Sequence, residues 1–416
     1  MAPHLPKSMG RLALLLAGLS MFGPFSIDAI FPAFPAMGES LGADKLAMQQ
    51  TISAYLVAYA LMSLVHGPLS DAIGRRRVIL AGLLVFIAAS VGCALADDLP
   101  TMLVFRALQG LSAGVGLIVG RAVIRDLLHG DDAQRLMSQV SMIFGIAPAI
   151  APVIGGWILG WGDWHDIFWF LVGFAVLLFA ATWAWLPETH PPEHRSALAP
   201  RSMLRDYLLI FANRRFQRIA AAGALNFAAL FLYIASAPAF VLDLLELDER
   251  SFAWFFGPMI GGMMLGAFTS GRVAGRMPHA VQVNIGFACC GLAALGNVGY
   301  GLLVDVPTVP WAVLPVALNA FGVALVFPVL TLAILDMYPR QRGSASSLQA
   351  FTALALNALV AGVLSPMVSG SMATLAIAAA LFTLAGWLVW RLERYRIKRM
   401  PQGTTEAGLP DPAEHV

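Results

Sequence analysis

The sequence predicts an all-α polytopic membrane protein with twelve transmembrane helices. Of its 416 residues, 59% are hydrophobic and only 12% are charged, and the mean hydropathy of +0.76 is too high for a soluble protein of this size. Apolar runs long enough to cross about 30 Å of hydrocarbon as a helix recur along the chain. They start near Leu12, Met48, Val78, Thr101, Leu136, Ile167, Ile219, Phe252, Val281, Thr308, Ser344 and Ala373.

The longest connection divides these spans into two groups of six. We expect six-helix bundles over residues 12–186 and 219–391, a central loop over 187–218, and a disordered tail over 400–416, which has little apolar content. Nearly all of the 26 basic residues fall in connections on one side of the membrane. The positive-inside rule therefore places both termini and the central loop in the cytoplasm. Because membrane topology explains the basic residues, they do not indicate binding to a nucleic acid.

Two elements of this plan have alternative explanations. The first run could mimic a secretory signal, but Pro24 and Pro32 interrupt it and it lacks a small-residue cleavage site, so we read it as a retained span. In the central loop, apolar side chains share one helical face opposite arginines, as in a helix lying in the membrane interface; an ordinary linker helix is the alternative. The apolar face consists of Met203, Leu204, Tyr207, Leu208 and Phe211.

Asp28 and Arg106 are the two charged residues that fall inside the apolar runs. A charge near the bilayer centre costs about 2.5 to 3.5 kcal/mol on insertion scales, so an acid and a base kept there indicate a proton or ion pathway. Asp28 is placed to take up a proton when water reaches it, with Arg106 as its electrostatic tuner. The alternative is a static pair between these two residues that braces two helices.

Two stretches rich in glycine and proline lie on the helices. Span two ends in GPLSDAIGRRR, where the glycines permit a tight turn and the acid can pair with the first arginine; the positive-inside rule also explains the arginines. Span five carries GIAPAIAPVIGG, which either seals a leak path or simply bends the helix. The residues singled out are Gly67, Asp71, Gly74, Arg75 and Arg76 in the first stretch and Pro148, Pro152, Gly155 and Gly156 in the second.

These stretches resemble the major facilitator superfamily, whose loop between helices two and three has this spacing of Gly, Asp, Gly and Arg. SGRVAGR over residues 270–276 is similar to a repeat of that loop, without an acid matching Asp71. RALQG in span four looks like the family's motif around a buried Arg. Span five is similar to its antiporter motif, with Ala151 in place of the usual Gly.

Two further stretches resemble the Bcr/CflA group of drug exporters. They are Asp28 with the Pro-x-x-Pro that follows it, and FLYIASAPAF over residues 231–240. The resemblance covers the chain from about Arg11 to Arg394. It implies a multi-pass protein of the bacterial inner membrane that exchanges small lipophilic drugs of the chloramphenicol or bicyclomycin type for protons by alternating access. A monomer driven by the proton gradient is expected, without cofactor or metal.

The resemblance also implies a drug cavity between the halves near the membrane midplane. Ordinary packing is the alternative for the aromatic residues among its candidate lining, and Arg106 is expected to organise spans one and four rather than touch the drug. Ser20 stands where some exporters have a second acid, so we expect neutral, zwitterionic or singly cationic drugs to be preferred over dications. The candidate lining residues are Ile27, Asp28, Phe31, Tyr55, Tyr59, Asn226, Leu230 and Tyr233.

Other functions are less well supported by the sequence. A proton-coupled or facilitated transporter of a metabolite or siderophore would use the same fold, and the context of Asp28 argues for antiport over it. A membrane hydrolase would need a nucleophile, base and acid cluster, which no span carries. HPPEH over residues 190–194 matches a zinc-protease pattern, but its consecutive prolines oppose the required helix. There is no phosphate-binding loop to indicate ATP, and the three cysteines suggest neither disulfide nor metal.

Overall fold

The computed structural model describes residues 9–128, 136, 140, 147–148, 150–195, 199–273, 276–338 and 341–399, and the regular structure of these residues is helical. The first eight helices are α1 Met9–Asp28, α2 Phe34–Ser40, α3 Lys45–Ile73, α4 Arg75–Ala94, α5 Leu99–Ala113, α6 Val115–Leu127, α7 Ile150–Leu159 and α8 Trp164–Trp185. The others are α9 Pro200–Ala212, α10 Arg214–Ala235, α11 Phe252–Val273, α12 His279–Leu303, α13 Leu314–Met337, α14 Arg342–Leu359, α15 Ser365–Val368 and α16 Met372–Arg399.

Eleven spans in the described residues are long and apolar enough to cross a membrane, with α1 and α2, α5 and α6, and α14 and α15 each counted as one span. The predicted polytopic helical fold is therefore confirmed. The remaining predicted span starts at Leu136. The structure describes only one helix in it, α7, which is shorter than the other spans. The rest of that span, including Gly145, lies mostly outside the described residues, as does the predicted tail over 400–416.

Some helices start at other residues than predicted because a capping hydrogen bond fixes their first turn. α10 starts at Arg214, five residues before Ile219, because the Asn213 side-chain oxygen accepts hydrogen bonds from the backbone N–H groups of Arg215 (2.8 Å) and Phe216 (3.4 Å). Such an N-cap satisfies backbone donors that have no partner within the helix. The bounds of the two bundles stay a prediction, because helix ends alone do not define them.

Several spans are interrupted where the sequence predicted continuous helices. Gly114 separates α5 from α6, and a side chain at this position would meet the Tyr59 ring at 2.6 Å. Short π-helical segments occupy Ala239–Leu244 after α10 and Val360–Leu364 between α14 and α15. Irregular helix turns of this kind often lie at functional sites. Hydropathy could not show them, because they depend on contacts between helices.

Packing is densest within each half of the chain. In the first half α3 packs on α5, α4 packs on α5 and α8, and α1 packs on α6 and α8. In the second half α13 packs on α11 and α12, while α16 packs on α10 and α12. The main contact between the halves joins α3 to α14. The halves therefore meet along few helices.

The central connection contains the helix α9. It packs against α14 and α10, and the Tyr207 hydroxyl donates a hydrogen bond to the Leu64 carbonyl of α3 (2.8 Å). Leu204, Leu208 and Phe211 of the same helix are exposed. The inward contacts fit the linker interpretation, and the exposed apolar side chains fit a helix in the membrane interface.

Candidate functional site

Asp28 is the last residue of α1, at the point where the first span breaks into the turn Phe31–Ala33. Its side chain is buried, with 3% exposure. Among the residues that the structure describes, its carboxyl group makes no hydrogen bond and no ion pair within 4 Å. A buried acid with a perturbed environment is a candidate functional group, and no hydrogen bond among the described residues would have to break for Asp28 to change its protonation.

Arg106 is fully buried and joins three helices of the first half. Its Nη1 donates hydrogen bonds to the Ser26 carbonyl of α1 (3.1 Å) and to Gln109 Oε1 (2.7 Å), and its Nε donates to the Thr51 carbonyl of α3 (3.3 Å). The guanidinium carbon also lies 4.6 Å from the centre of the Tyr55 ring. Arg106 therefore braces α1, α3 and α5 through backbone carbonyls and an aromatic face.

The two intramembrane charges interact without touching. No ion pair joins Asp28 to Arg106 within 4 Å, although each acts electrostatically on the other. The static pair considered as an alternative is therefore absent from this conformation. The brace is provided by Arg106 and the carbonyl groups instead, which leaves Asp28 within the field of a fixed cation.

A chain of buried hydrogen bonds surrounds Arg106. Tyr55 donates to the Gly23 carbonyl (2.7 Å), and the Ser26 hydroxyl lies 2.9 Å from the Tyr55 oxygen. On the other side, Gln109 Nε2 donates to Ser90 Oγ of α4 (2.8 Å). These bonds extend the network to a fourth helix. Buried networks of this kind hold their members rigidly, so the centre of the first half is preorganised.

The predicted lining residues are placed as follows. Tyr55 packs against Arg106 and Asp28 interacts electrostatically with it, whereas Asn226 donates to Cys290 Sγ of α12 (3.4 Å) inside the second half. None exposes more than 8% of its surface in this conformation. The values are Ile27 7%, Asp28 3%, Phe31 0%, Tyr55 0%, Tyr59 8%, Asn226 1%, Leu230 0% and Tyr233 3%. Their role in drug binding stays a prediction.

We call the end of the molecule that carries Lys45 and Arg250 the outer end, after the predicted orientation, and the opposite end the inner end. Four hydrogen bonds from the first turns of α3 join the halves at the outer end. They run from Lys45 to Asp243 (2.6 Å), Gln49 to the Ala235 carbonyl (3.1 Å), Gln50 to the Gly362 carbonyl (2.8 Å) and Ser53 to the Ala358 carbonyl (3.0 Å). The outer end is therefore closed.

The glycines of span five complete this closure. A side chain at Gly155 would collide with the backbone of Ala29, the residue after Asp28, and one at Gly156 would collide with the Glu249 carbonyl of the second half. Phe31 stacks on Phe256 across the same boundary, with ring centres 6.4 Å apart. Span five thus lies against both halves at once, immediately beside the buried acid.

Towards the inner end of α3, the Leu64 carbonyl accepts a hydrogen bond from Tyr207 of the central connection, and no hydrogen bond of α3 beyond Leu64 reaches the second half among the described residues. A side chain added at Gly67 would have no neighbour within 4 Å, and Asp71 is 45% exposed. Asp71 pairs with Arg75, the first arginine of the stretch, as the sequence predicted. The turn itself is a single residue, Gly74, with φ of 106°, a value that favours glycine.

Arg75 is the centre of a polar cluster that sequence patterns only partly revealed. Its Nε lies 3.1 Å from Asp126 Oδ2 at the end of α6, and its backbone N–H donates to Glu188 Oε1 (2.9 Å). Arg76 reaches the Trp183 carbonyl (2.6 Å) instead. Asp126 and Glu188 were missed because each lies near the end of a span, where acids are common. The cluster fixes α3, α4, α6 and the chain after α8 at the inner end.

The second half has a corresponding clamp that was also missed. Glu393 of α16 is 1% exposed and lies 2.5 Å from Arg218 Nε and 3.2 Å from Arg215 Nε, both on α10. The sequence did offer a signal, because Glu393 is a single acid among the arginines at the end of the last helix. Those arginines had been explained by the positive-inside rule alone, so the acid between them was overlooked. This clamp joins the first and last helices of the second half.

This architecture defines a helical multi-pass membrane transporter, with two halves, a closed outer end and one unpaired buried acid among the described residues. The sequence pattern of the Major Facilitator Superfamily matches residues 14–362, and the chain belongs to that family.

Curated relatives cover most of the chain. It is 30% identical to the uncharacterized MFS-type transporter YdgK of Bacillus subtilis over 88% of this chain and 90% of that protein. It is 26% identical to a bicyclomycin resistance protein homolog of Haemophilus influenzae (87% and 90% covered) and 28% identical to multidrug resistance protein D of Escherichia coli (81% and 84%). The predicted resemblance to the Bcr/CflA group is confirmed by these similarities.

Solved structures agree on the fold. The human organic anion transporter MFSD10 aligns with a TM-score of 0.69 at 18% identity, covering 92% of this chain and 99% of that one. A mutant of the peptide transporter POT aligns with a TM-score of 0.71 at 16% identity, covering 93% and 95%. At these identities the similarity shows the fold alone.

Proposed function

We propose that the chain is a secondary active multidrug efflux transporter of the bacterial inner membrane. It exchanges small lipophilic drugs for protons by alternating access between the two halves. Relatives named for bicyclomycin, chloramphenicol and multidrug resistance support the drug as cargo. The observation that carries the proton role is the position of Asp28, buried without a partner among the described residues and adjacent to the backbone that closes the outer end.

Asp28 connects protonation to the movement of the halves in this proposal. Ala29 touches Gly155 of span five, which also touches the second half through its neighbour Gly156. A change of charge on Asp28 alters the cost of keeping this boundary dry, because a carboxylate is far more expensive to bury than a carboxylic acid. Opening of the outer end would hydrate Asp28, and closure favours the neutral acid.

Proton and drug are antagonistic in this scheme. Occupancy by the drug favours release of the proton from Asp28 on the inner side, and a proton taken up outside favours release of the drug. One proton exchanged for a neutral drug moves one charge inward, which gains about 2.3 kcal/mol per 100 mV of membrane potential. The membrane potential and the pH gradient would then both drive export.

Growth of a pump-deficient bacterium that expresses the chain tests this function. We expect increased resistance to chloramphenicol-type drugs, bicyclomycin, sulfonamides or cationic dyes, and we expect Asp28→Asn to remove it while the protein is still made. Asp97→Asn, which neutralises an exposed acid in the connection before α5, is the matched control and should export normally. Full export by Asp28→Asn would contradict the proton role. No resistance to any compound would favour a metabolite or siderophore as cargo.

A further inference from the structure

The central helix α9 leaves one side uncovered, and this side carries both arginines and leucines. Four exposed residues at positions i, i+3, i+4 and i+7 share it, because these positions lie on one side of a helix. They are Arg201, Leu204, Arg205 and Leu208. The sequence pattern placed the leucines with Tyr207 on a face opposite the arginines. The structure joins the leucines to the arginines instead, because Tyr207 points inward.

Contacts with both halves of the molecule fix which side of α9 faces outward. The Tyr207 hydroxyl donates a hydrogen bond to the Leu64 carbonyl of α3 (2.8 Å) and accepts one from the Ser347 hydroxyl of α14. Ile210 lies on the same side of α9 as Tyr207 and is fully buried in the apolar core of the second half. Rotation of α9 would break these contacts, so the side with arginines and leucines is a fixed outer surface.

α9 lies where the second half enters the membrane. A single residue, Asn213, separates its end from Arg214, where the spanning helix α10 begins. Apolar surface is costly in water, whereas the boundary between lipid headgroups and acyl chains accepts it. The large apolar side chains of α9 that expose between 47% and 60% of their surface are Leu204, Leu208, Leu209 and Phe211. The membrane surface is therefore the environment that suits this helix.

The charge around α9 indicates which lipids suit it. Residues 195–218 contain six arginines and one acid, Asp206. Neither Arg201 nor Arg205 forms an ion pair with an acid of the described residues. Guanidinium groups bind phosphate through two parallel hydrogen bonds, and a leaflet that contains anionic lipids attracts each arginine near its surface. Anionic headgroups complement this charge, and neutral ones do not.

The order of the side chains around α9 matches the order of groups in a phospholipid. At 100° per residue, Leu204 and Leu208 form one edge of the exposed face, and Arg201 and Arg205 form the adjacent edge. The leucines are thus placed for acyl chains, while the arginines are placed for the phosphates at the border of the hydrocarbon. Arginine stems pack on apolar surface and hold the charged group in the polar layer.

We propose that α9 binds anionic phospholipids, with Arg201 and Arg205 on the phosphate and the leucines of the same face against the acyl chains. In the predicted orientation α9 lies at the cytoplasmic surface, so the lipid comes from the inner leaflet. A bound lipid ties the connection between the two halves to the membrane surface. This inference concerns a second ligand of the chain and does not depend on the nature of its cargo.

A fluorophore attached at Ala212→Cys tests the site directly. Ala212 is the last residue of α9 and is exposed, so a label there lies near the face without replacing one of its members. Cys289→Ser removes the partly exposed native cysteine, while Cys93 and Cys290 are buried. The labelled protein in nonionic detergent is titrated with phosphatidylglycerol or phosphatidylcholine that carries bromine atoms in the acyl chains. Bromine quenches the label when the lipid lies against it.

Phosphatidylglycerol should reach half-maximal quenching at a concentration at least about tenfold lower than phosphatidylcholine, because each arginine near an anionic headgroup contributes about fivefold. Arg201→Gln combined with Arg205→Gln should remove most of this preference and leave phosphatidylcholine unchanged. The corresponding lysine pair keeps the charge and should retain most of the preference. Arg391→Gln combined with Arg396→Gln removes two exposed arginines of α16 and is the matched control, which should behave as wild type.

Three results would overturn the site. Equal quenching by the two lipids would show apolar contact without selection of the headgroup, and no quenching by either would show that this face does not meet lipid. Equal losses from the α9 and α16 pairs would reduce the preference to the net charge of the inner end. None of these measurements involves transport, so their failure leaves the proposed export untouched. A chain that gives no drug resistance but keeps the quenching preference would reject export alone.

Discussion

The two halves of the molecule bury different kinds of polar side chain. Within the described residues, the first half buries Asp28, His66 and Arg106 in its spans, together with Arg75 at a helix end. The second half buries mainly neutral amides in its spans, and its buried charge, Glu393, is clamped near the end of the last helix. The amides are Asn226, Gln282, Asn297, Asn319, Gln349 and Asn357. In the proposed mechanism the first half therefore carries the proton chemistry, while the spans of the second half bury mainly neutral groups.

The clamps at the inner end differ in the same way. The first half connects α3, α4 and α6 through Arg75, whose partners include Asp71 and Asp126. The loop after α11 has no acid at the position matching Asp71, and Gln282 instead donates to Ser270 Oγ (2.7 Å). The second half uses α10 and α16 for its charged clamp. Each half is thus fixed internally by a separate device, which suits rigid-body movement.

Arg106→Ala should have the largest effect on stability. It removes hydrogen bonds to two buried carbonyls and to Gln109, and the expected loss is about 3 to 5 kcal/mol. The measurement is the thermal unfolding midpoint of the purified protein in detergent. Asn226→Ala in the second half is the comparison and should cost about 1 kcal/mol, since one weak bond to Cys290 is lost. Equal losses would mean that the halves do not differ as described.

Glu393→Gln should destabilise without altering the coupling to protons. It leaves two arginines of α10 without their shared carboxylate, and we expect a loss of about 2 kcal/mol. The number of protons exchanged per drug, measured in proteoliposomes, should stay as in wild type. A changed ratio would place transport chemistry in the second half and break the comparison.

Gly155→Ala should impair closure of the outer end. The added methyl group meets the Ala29 backbone, and overpacking of this kind costs about 1 to 3 kcal/mol in the closed state. Transport should slow, and the unfolding midpoint should fall. Gly261→Ala in α11, where a side chain would meet nothing within 4 Å, is the matched control. It should behave as wild type, and similar defects in both variants would argue against a seal at Gly155.

Lys45→Gln should have the smallest effect. The pair with Asp243 is exposed on both sides, so it contributes less than about 1 kcal/mol and is screened by salt. The unfolding midpoint at low salt should fall slightly, and the difference from wild type should vanish at high salt. A large, salt-independent effect would show that this pair, rather than span five, holds the outer end closed.

The fold was largely predictable because the bilayer constrains it strongly. A helix must satisfy its own backbone in hydrocarbon, so a run of apolar residues near Val78 or Phe252 predicts a span directly. The breaks were not predictable. The interruption at Gly114 depends on Tyr59 and His66 of another helix, and the π-helical segments depend on packing that hydropathy does not record.

The sequence predicted the charged residues of the candidate site but not the groups that contact them. Asp28 and Arg106 were found because the cost of burying a charge is a property of a single residue. The groups that hold Arg106 are carbonyls of Ser26 and Thr51, and backbone groups leave no trace in the sequence.

Protonation of Asp28 and occupancy by a drug exclude each other in the proposed mechanism. Addition of chloramphenicol to the purified protein in weakly buffered detergent solution, followed with a pH indicator, tests it most directly. Wild type should release about one proton per bound drug, as linkage between the two sites requires. Asp28→Asn should bind the drug and release none. Proton release from Asp28→Asn equal to that of wild type would contradict the account.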